Sequence, residues 1–271
     1  MKSLAAAIVL LPAAALANPR ALPFTYTTDQ LAEGQVEIEQ YADLDRVIEV
    51  PVGGESLRAF TLASAFTTEI EIGLTNHLEL GLYAVFVPNP GTSLTAFKFP
   101  DAGNGIKQRL RWALADPEEW PLDVSLYGEV SELGSEIELE AKVLLQKRFG
   151  DVRIAANLTA EYELYFEEIK GEHQREWVLA PSAGITYEIT PKYHLGIDSW
   201  MHSEYPTNPS PSTRVFGLGP AVYVGPAFMQ NFGKLWWSVG AYTRVTDTDH
   251  TLQPGEPFGR VYFRSMLGYN L

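Results

Sequence analysis

Hydrophobic and polar residues alternate along the stretch from Phe60 to Phe86. Even positions carry mostly large apolar side chains, and the odd positions between them carry mostly threonine, alanine, glycine and glutamate. Successive side chains on a β-strand point to opposite faces, so a period of two predicts strands. The short polar break at 75–77 predicts a tight turn. The stretch is therefore predicted to be a long antiparallel hairpin whose second face carries Glu69, Glu71 and Glu79.

The same alternation recurs through the rest of the chain and predicts about twelve strands. Their approximate ranges are 35–41, 60–74, 78–86, 106–114, 122–130, 136–146, 152–164, 176–189, 193–202, 214–224, 235–245 and 260–271. Mostly short connections are predicted at 75–77, 115–121, 148–151, 190–192 and 225–233. Mostly longer loops are predicted at 42–57, 87–104, 131–135, 166–173, 203–213 and 246–257. Short periplasmic turns and longer outer loops are typical of an outer-membrane barrel.

Two architectures fit an alternating pattern of this kind. A soluble sandwich buries its apolar face, whereas a transmembrane barrel turns that face towards lipid and its polar face towards the lumen. The apolar phase is nearly free of charge at mid-strand, where Lys or Arg would cost about 2–4 kcal/mol in a membrane. Aromatic residues lie at both ends of the outward-facing positions. At the loop ends of the strands they are Phe60, Phe86, Tyr162, Trp177 and Phe216, and near the turn ends they are Trp112, Tyr187, Tyr193, Trp237 and Tyr269. The pattern favours an all-β fold, a transmembrane antiparallel up-and-down β-barrel over residues 35–271.

The N-terminal region differs from the alternating part. A basic start is followed by an apolar run from Leu4 to Leu16 and a small-x-small site that ends at Ala17. The run is shorter than the roughly 20 residues of a spanning helix, so residues 1–17 are predicted to be a cleavable signal peptide. Residues 18–34 contain Pro19 and Pro23 and are predicted to be a periplasmic segment with little structure.

The last strand alternates from Val261 to Leu271, with Tyr269 two residues before the end. Together with the alternation, this strand resembles those of porin-like bacterial outer-membrane β-barrels. Such proteins usually end on an aromatic residue, and here the last residue is leucine. The resemblance implies an outer-membrane location in the cell envelope, contact with the lipid bilayer and lipopolysaccharide, and recognition by the outer-membrane assembly machinery.

Composition narrows the possible partners and stabilising devices. The net charge of −14 argues against nucleic acid, which binds basic surfaces. The chain has no cysteine, so disulfides are excluded, and a closed hydrogen-bonded barrel would supply stability instead. No cofactor motif or metal-binding spacing is found, and neither a cofactor nor a metal is predicted.

Charged residues concentrate on the predicted inner face, and their sign alternates around the wall. The predicted lumen charges are Glu37, Glu39, Glu69, Glu71, Glu79, Lys107, Arg109, Arg111, Glu129, Glu138, Glu140, Lys142, Arg153, Glu161, Glu163, Arg244, Arg260 and Arg264. They fit either an internal salt-bridge network that fills the lumen or a water-filled pore with a field across it. Since acid is in excess, a weak cation preference is predicted for an open pore.

The predicted function is a passive or weakly selective channel for small solutes. Alternatives are a closed structural or ligand-binding barrel without conductance and, less favoured, an outer-membrane lipid hydrolase. His194, Asp198 and His202 share a face, but successive members lie roughly 13 Å apart along one strand and cannot act on one proton or metal. His202 with Glu204 is the candidate pair for a hydrolase. The prediction is that the protein is not an enzyme.

Overall fold

The computed structural model describes residues 18–48, 60–87, 104–169, 171–206, 220–246 and 259–271. The predicted signal peptide and most of the predicted long loops lie outside these ranges. Among the described residues, no helix is long and apolar enough to cross a membrane. The strand segments of the described residues are β1 (Val36–Ile48), β2 (Phe60–Thr75), β3 (Leu78–Phe86), β4 (Gly105–Ala113), β5 (Asp123–Leu133), β6 (Glu136–Phe149), β7 (Val152–Ile169), β8 (Glu172–Leu179), β9 (Ser182–Thr190), β10 (Tyr193–Pro206), β11 (Ala221–Asn231), β12 (Leu235–Arg244) and β13 (Val261–Asn270).

The sheet closes on itself. β13 pairs antiparallel with β1, with Asn270 opposite Glu37 and Phe263 opposite Leu44. β8 and β9 both lie between β7 and β10, so they share one position in the wall. Within the described residues, the thirteen segments therefore form a closed antiparallel barrel of twelve strands. The predicted all-β barrel is confirmed.

The apolar phase faces outwards, as the alternation predicts. In β2, Glu69 and Glu71 are buried inside the barrel while Ile70 between them is exposed on the outer surface. In β4, Leu110 is 50% exposed while Arg109 and Arg111 on either side are buried. Large exposed apolar side chains on most strands, with buried charges behind them, match a barrel surrounded by lipid.

Aromatic side chains collect at both ends of the outer surface. At the end with short turns, which we call the turn end, the exposed rings are Trp112, Tyr187, Tyr193, Trp237 and Tyr269. At the opposite loop end, the rings of Tyr162 and Trp177 pack with centroids 5.0 Å apart. Two of the predicted aromatic positions, Phe216 and the side chain of Phe60, lie outside the described part. The outer surface thus carries aromatic residues where a barrel meets the two membrane interfaces.

Four strands extend further towards the loop end than the sequence predicts. β1 continues to Ile48, where a loop is predicted from residue 42 onwards, and β7 continues to Ile169. β5 continues to Leu133 and β10 to Pro206, into the loops predicted at 131–135 and 203–213. The prediction of an acidic loop at 166–173 is wrong, since Glu168 pairs with His173 across the β7–β8 hairpin. Charged residues do not mark a loop in these strands, because the inner face of the barrel is itself polar.

The strand predicted at 214–224 continues further than predicted, and its first part, 214–219, lies outside the described residues. β11 spans Ala221–Asn231, and the connection predicted at 225–233 shortens to the few residues before Leu235. The predicted connection begins at Gly225, but Pro226 lies within the strand, opposite Ile197, and its side chain is exposed on the outside. A proline is tolerated in a strand where no ladder hydrogen bond from its nitrogen is needed.

The strand predicted at 176–189 is divided in two. β8 ends at Leu179 and β9 begins at Ser182, with Ala180 and Pro181 between them. The backbone N of Ala180 still bonds to Thr159 O, and Met201 N bonds to Pro181 O. The interruption is therefore a local irregularity in one position of the wall.

The N-terminal segment lies inside the barrel, in contrast to the little structure predicted for it. Leu22 and Leu31 are buried in the lumen. Asn18 N contacts Glu37 at the start of β1, and Leu31 N donates to Glu79 Oε2 near the same end, at 2.9 Å. The segment thus enters and leaves at the turn end. We call residues 18–32 the plug loop.

Candidate functional site in the barrel lumen

Two arginines on β4 bind the carboxylates of β2 and β3. Arg109 Nη2 lies 2.6 Å from Glu69 Oε1, and Arg109 Nη1 lies 2.8 Å from Glu79 Oε1. Arg109 also contacts Glu71, and Arg111 Nη2 lies 2.8 Å from Glu79 Oε1. All five side chains are buried. The bonds between them form a cluster without access to bulk water, which we call the arginine cluster.

Another buried cation, Arg20, lies near the start of the plug loop. Arg20 Nη1 lies 3.4 Å from Glu39 Oε2 and also contacts the hydroxyl of Tyr41. Its guanidinium lies over the ring of Tyr26, 3.8 Å from the ring centroid. A cation over an aromatic face is attracted by the ring quadrupole, so Arg20 ties the start of the loop both to β1 and to its own tip.

The tip of the plug loop is held by Asp198 on β10. Phe24 N donates to Asp198 Oδ2 at 2.8 Å, and Thr25 Oγ1 donates to Asp198 Oδ1 at 2.6 Å. Tyr242 OH on β12 also donates to Asp198 Oδ2, at 3.0 Å. The ring of Phe24 stacks on Trp200, with centroids 4.5 Å apart. One carboxylate therefore satisfies three donors at the centre of the barrel.

The returning half of the plug loop bonds to the opposite wall. Asn157 on β7 accepts from Tyr26 N at 2.7 Å and donates to Tyr26 O at 2.9 Å, as a strand partner would. Further on, Asp29 Oδ2 lies 2.6 Å from Arg153 Nη1. Asn18 Nδ2 donates to Asp29 O at 3.1 Å, which joins the two ends of the loop at its base.

Small residues in the wall make room for the loop. A Cβ at Gly184 would lie 2.7 Å from Leu22 Cδ1, and a Cβ at Gly196 would lie 3.3 Å from Leu22 Cδ2. Leu22 therefore fills a hollow that only glycine leaves open, which makes the wall complementary to the plug loop.

An acidic wall lies on the strands from β5 to β8. We use this name for Glu129, Glu138, Glu140, Glu161, Glu163 and Glu176. They form two rows, because Glu140 lies opposite both Glu129 and Glu161, and Glu163 lies opposite both Glu138 and Glu176.

Two lysines partly offset the acidic wall. Lys107 Nζ lies 3.0 Å from Glu138 and 3.4 Å from Glu129, and Lys142 Nζ lies 2.9 Å from Glu140. Like charges directly opposite each other in a sheet are destabilising. With six carboxylates against these two lysines, this side of the lumen is negative and attracts cations.

A cavity of about 390 Å³ lies between the tip of the plug loop and the barrel wall. Phe24 and Tyr26 of the plug loop form part of its lining. The charged groups that line it include Lys107, Glu129, Glu140, Lys142, Glu161 and Arg264. Arg109 and Arg111 do not line it, since they lie in the arginine cluster.

Most of the predicted lumen charges lie on the inner side of the barrel. Arg264 Nε lies 2.6 Å from Asp43 Oδ1, and its guanidinium lies 3.8 Å from the centroid of the Phe24 ring. Arg244 is buried near the loop end, where Nε donates to Thr246 O at 3.1 Å. Arg260, just before β13, is exposed. The prediction therefore identifies the inner phase, but it does not identify which charges meet the cavity.

Sequence reasoning missed several inner residues. Asp43 and Asp45 continue the odd phase of Glu37, Glu39 and Tyr41, so the alternation itself could have placed them on β1. Arg20 and Asp29 lie in the plug loop, which has no periodicity from which their positions could be inferred.

The candidate hydrolase pair does lie together. His202 Nε2 lies 2.8 Å from Glu204 Oε1 on the inner face of β10. The absence of catalysis stays a prediction.

No protein-family model and no curated protein matches this sequence. Solved structures do match in fold. The COG4313 outer-membrane channel from Pseudomonas putida F1 aligns with a TM-score of 0.60 and 10% identity, over 90% of this chain and 97% of that one. The NanC porin aligns with a TM-score of 0.55 and 10% identity, over 87% and 100%. The KdgM porin aligns with a TM-score of 0.50 and 10% identity, over 86% and 98%. The chain therefore has the fold of porin-like outer-membrane channels.

Proposed function

We propose that the protein is a passive outer-membrane channel for small solutes, with a weak preference for cations. The observation that carries this proposal is the negative acidic wall beside a polar cavity at the centre of a closed barrel. Rings of carboxylates favour cations in channels. The neighbours of known structure are described as channels and porins, which supports transport as the general role.

The plug loop would set the conductance of this channel. Its tip is held mainly by hydrogen bonds to Asp198 and Asn157. The neutral bond to Asn157 contributes roughly 0.5–1.5 kcal/mol, and each bond to the carboxylate of Asp198 contributes about 1.5–3 kcal/mol. Solute passage then requires small movements of the loop tip and no opening of the barrel wall.

Planar-bilayer recording of the protein under a salt gradient tests the proposal. The variant E140Q/E161Q removes two carboxylates that line the cavity. Its reversal potential should move towards zero, the value of a channel without cation preference. The control E118Q/E167Q removes the same charge from two exposed positions and should leave the reversal potential unchanged. An unchanged potential in E140Q/E161Q would show that the acidic wall does not border the path.

The plug loop also favours a second candidate, a closed barrel that binds a ligand without conducting. It fills the turn end of the lumen with buried side chains such as Leu22 and Leu31. The same recording separates the two functions. If neither the protein nor a variant lacking residues 20–30 conducts at any voltage, the channel is rejected and the closed barrel remains.

We further infer an outer-membrane location, with the lipid bilayer and lipopolysaccharide as surroundings and the outer-membrane assembly machinery as the partner during insertion. The exposed aliphatic surface supports this inference. Fractionation of cells that express the protein would test it, and recovery in the periplasm would contradict it.

A further inference from the structure

Glu37 is a buried carboxylate with an unusual set of partners. Glu37 is 0% exposed and lies at the base of the plug loop. Trp236 Nε1 donates to Glu37 Oε1 at 2.7 Å, and the backbone N of Asn18 donates to Glu37 Oε2 at 3.1 Å. The indole of Trp236 is neutral, and the backbone nitrogen of Asn18 is also neutral as long as it belongs to a peptide bond.

The neighbouring carboxylates all have guanidinium partners. Arg20 contacts Glu39, Arg109 contacts Glu71, and Arg111 contacts Glu79. In the described part of the chain, no lysine or arginine forms an ion pair with Glu37. Ligand oxygens of Glu37, Glu39 and Glu71 lie within 4.8 Å of one another. A buried carboxylate without a cation is strongly unfavourable, so Glu37 requires either a bound proton or a positive charge from another group.

The sequence predicts cleavage of the peptide bond between Ala17 and Asn18, on grounds unrelated to Glu37. Hydrolysis by a signal peptidase consumes one water, leaves a carboxylate on Ala17 and frees the α-amine of Asn18. A free α-amine is largely protonated at neutral pH, since its pKa is about 7.7–8.0. Cleavage would therefore place a positive charge on the nitrogen that lies 3.1 Å from Glu37.

We propose that the α-ammonium of Asn18, released by removal of the leader, forms the ion pair that Glu37 lacks and fixes the plug loop in the lumen. In the precursor the same nitrogen is a neutral amide, and the loop is held less tightly. Leader removal is then the step that completes the ion pairing at the base of the plug loop. The pairing does not depend on whether the barrel conducts.

The absence of native cysteine allows a direct test. Ala21 is 3% exposed in the lumen, so the thiol of A21C reacts with a water-soluble maleimide only when the plug loop leaves its place. The exported protein is purified from membranes, and mass spectrometry establishes its N-terminus. Three changes are compared in this background: E37Q, one glycine inserted between Ala17 and Asn18, and both together.

We expect the insertion to raise the labelling rate about tenfold, since it moves the ammonium away from Glu37 and a hydrogen bond between charged groups contributes at least this factor. E37Q should raise the rate similarly, and the combination should raise it no further. The exposed position Glu33 supplies the control, because E33C should label equally fast with and without the insertion. The insertion leaves the barrel sequence intact, so it remains informative even if E37Q does not fold.

Three results would overturn the proposal. The first is a mature N-terminus other than Asn18, and the second is an insertion that leaves A21C labelling unchanged. The third concerns a metal ion, which the three carboxylates could also hold. If a chelator speeds A21C labelling and the insertion does not, a divalent cation supplies the charge and the ammonium does not.

Discussion

Gly81 on β3 lies directly opposite Arg109 on β4, and a Cβ at Gly81 would lie 2.6 Å from Arg109 Nε. The same Cβ would lie 2.8 Å from Glu69 Oε1. The missing side chain lets Arg109 pass over β3 to reach carboxylates on β2. One glycine thereby makes the arginine cluster possible.

Replacing this glycine should destabilise the barrel. We expect G81A to lower the free energy of unfolding by roughly 1–3 kcal/mol, because the added methyl group overpacks the contact with Arg109. Urea unfolding followed by tryptophan fluorescence measures the change. Gly128 is the matched control, since a Cβ there would meet nothing within 4 Å. A loss as large in G128A as in G81A would contradict the explanation.

Removing the arginine itself should cost more. R109M leaves Glu69, Glu71 and Glu79 with too few cations in a buried site, and breaking a buried ion pair costs about 3–5 kcal/mol. R148M removes an exposed arginine and should change stability by about 0.5 kcal/mol or less. The same urea titration compares the two, and equal midpoints would show that the cluster is not stabilising.

The two classes of inner arginine should differ in their effect on selectivity. Arg264 lines the cavity, so R264M should shift the reversal potential towards stronger cation preference. Arg111 is 1% exposed and does not line the cavity, so R111M should leave the potential unchanged in the channels that still fold. A shift in R111M as large as in R264M would place the solute path beside the arginine cluster.

Loss of Asp198 should loosen the plug loop. D198A removes the acceptor of bonds from Phe24 N and Thr25 Oγ1, and bonds to a charged group contribute about 1.5–3 kcal/mol each. We expect the open-state frequency in single-channel recordings to rise at least about tenfold. The control is I197V, because Ile197 lies on the outer face. Its open-state frequency should equal that of the unmodified protein. Identical traces for D198A would mean that the loop tip does not limit conductance.

Alternation, together with the charge-free apolar phase and the aromatic residues at its ends, was enough to predict the barrel and its inner phase. A membrane strand must present apolar groups to lipid along its whole length, so each strand repeats the same signal. The signal is easily overlooked where an inner residue resembles a loop residue. Asp43 and Asp45 look like a solvated loop in sequence, although Asp43 bonds to Arg264 inside the barrel. Gly225 and Pro226 look like a turn, although they lie within β11.

The content of the lumen could not be predicted in the same way. The plug loop has no repeating pattern, and its position depends on partners such as Asn157 and Asp198 that are far away in sequence. Which charges meet the cavity and which meet each other also depends on register. Arg109 and Arg111 share the phase of Lys107, yet only Lys107 lines the cavity. Such differences follow from three-dimensional neighbours, which a single sequence does not contain.

The position of the plug loop also constrains how the molecule assembles. Phe24 and Asp198 are 174 residues apart in the chain, so the bond between them cannot form until most of the strands exist. The ladder between β1 and β13 joins opposite ends of the described chain as well. Contacts of such long sequence separation form slowly, because the chain entropy of closing the loop must be overcome first. The plug loop, which is synthesised before the strands that hold it, would therefore be among the last parts to reach its final place.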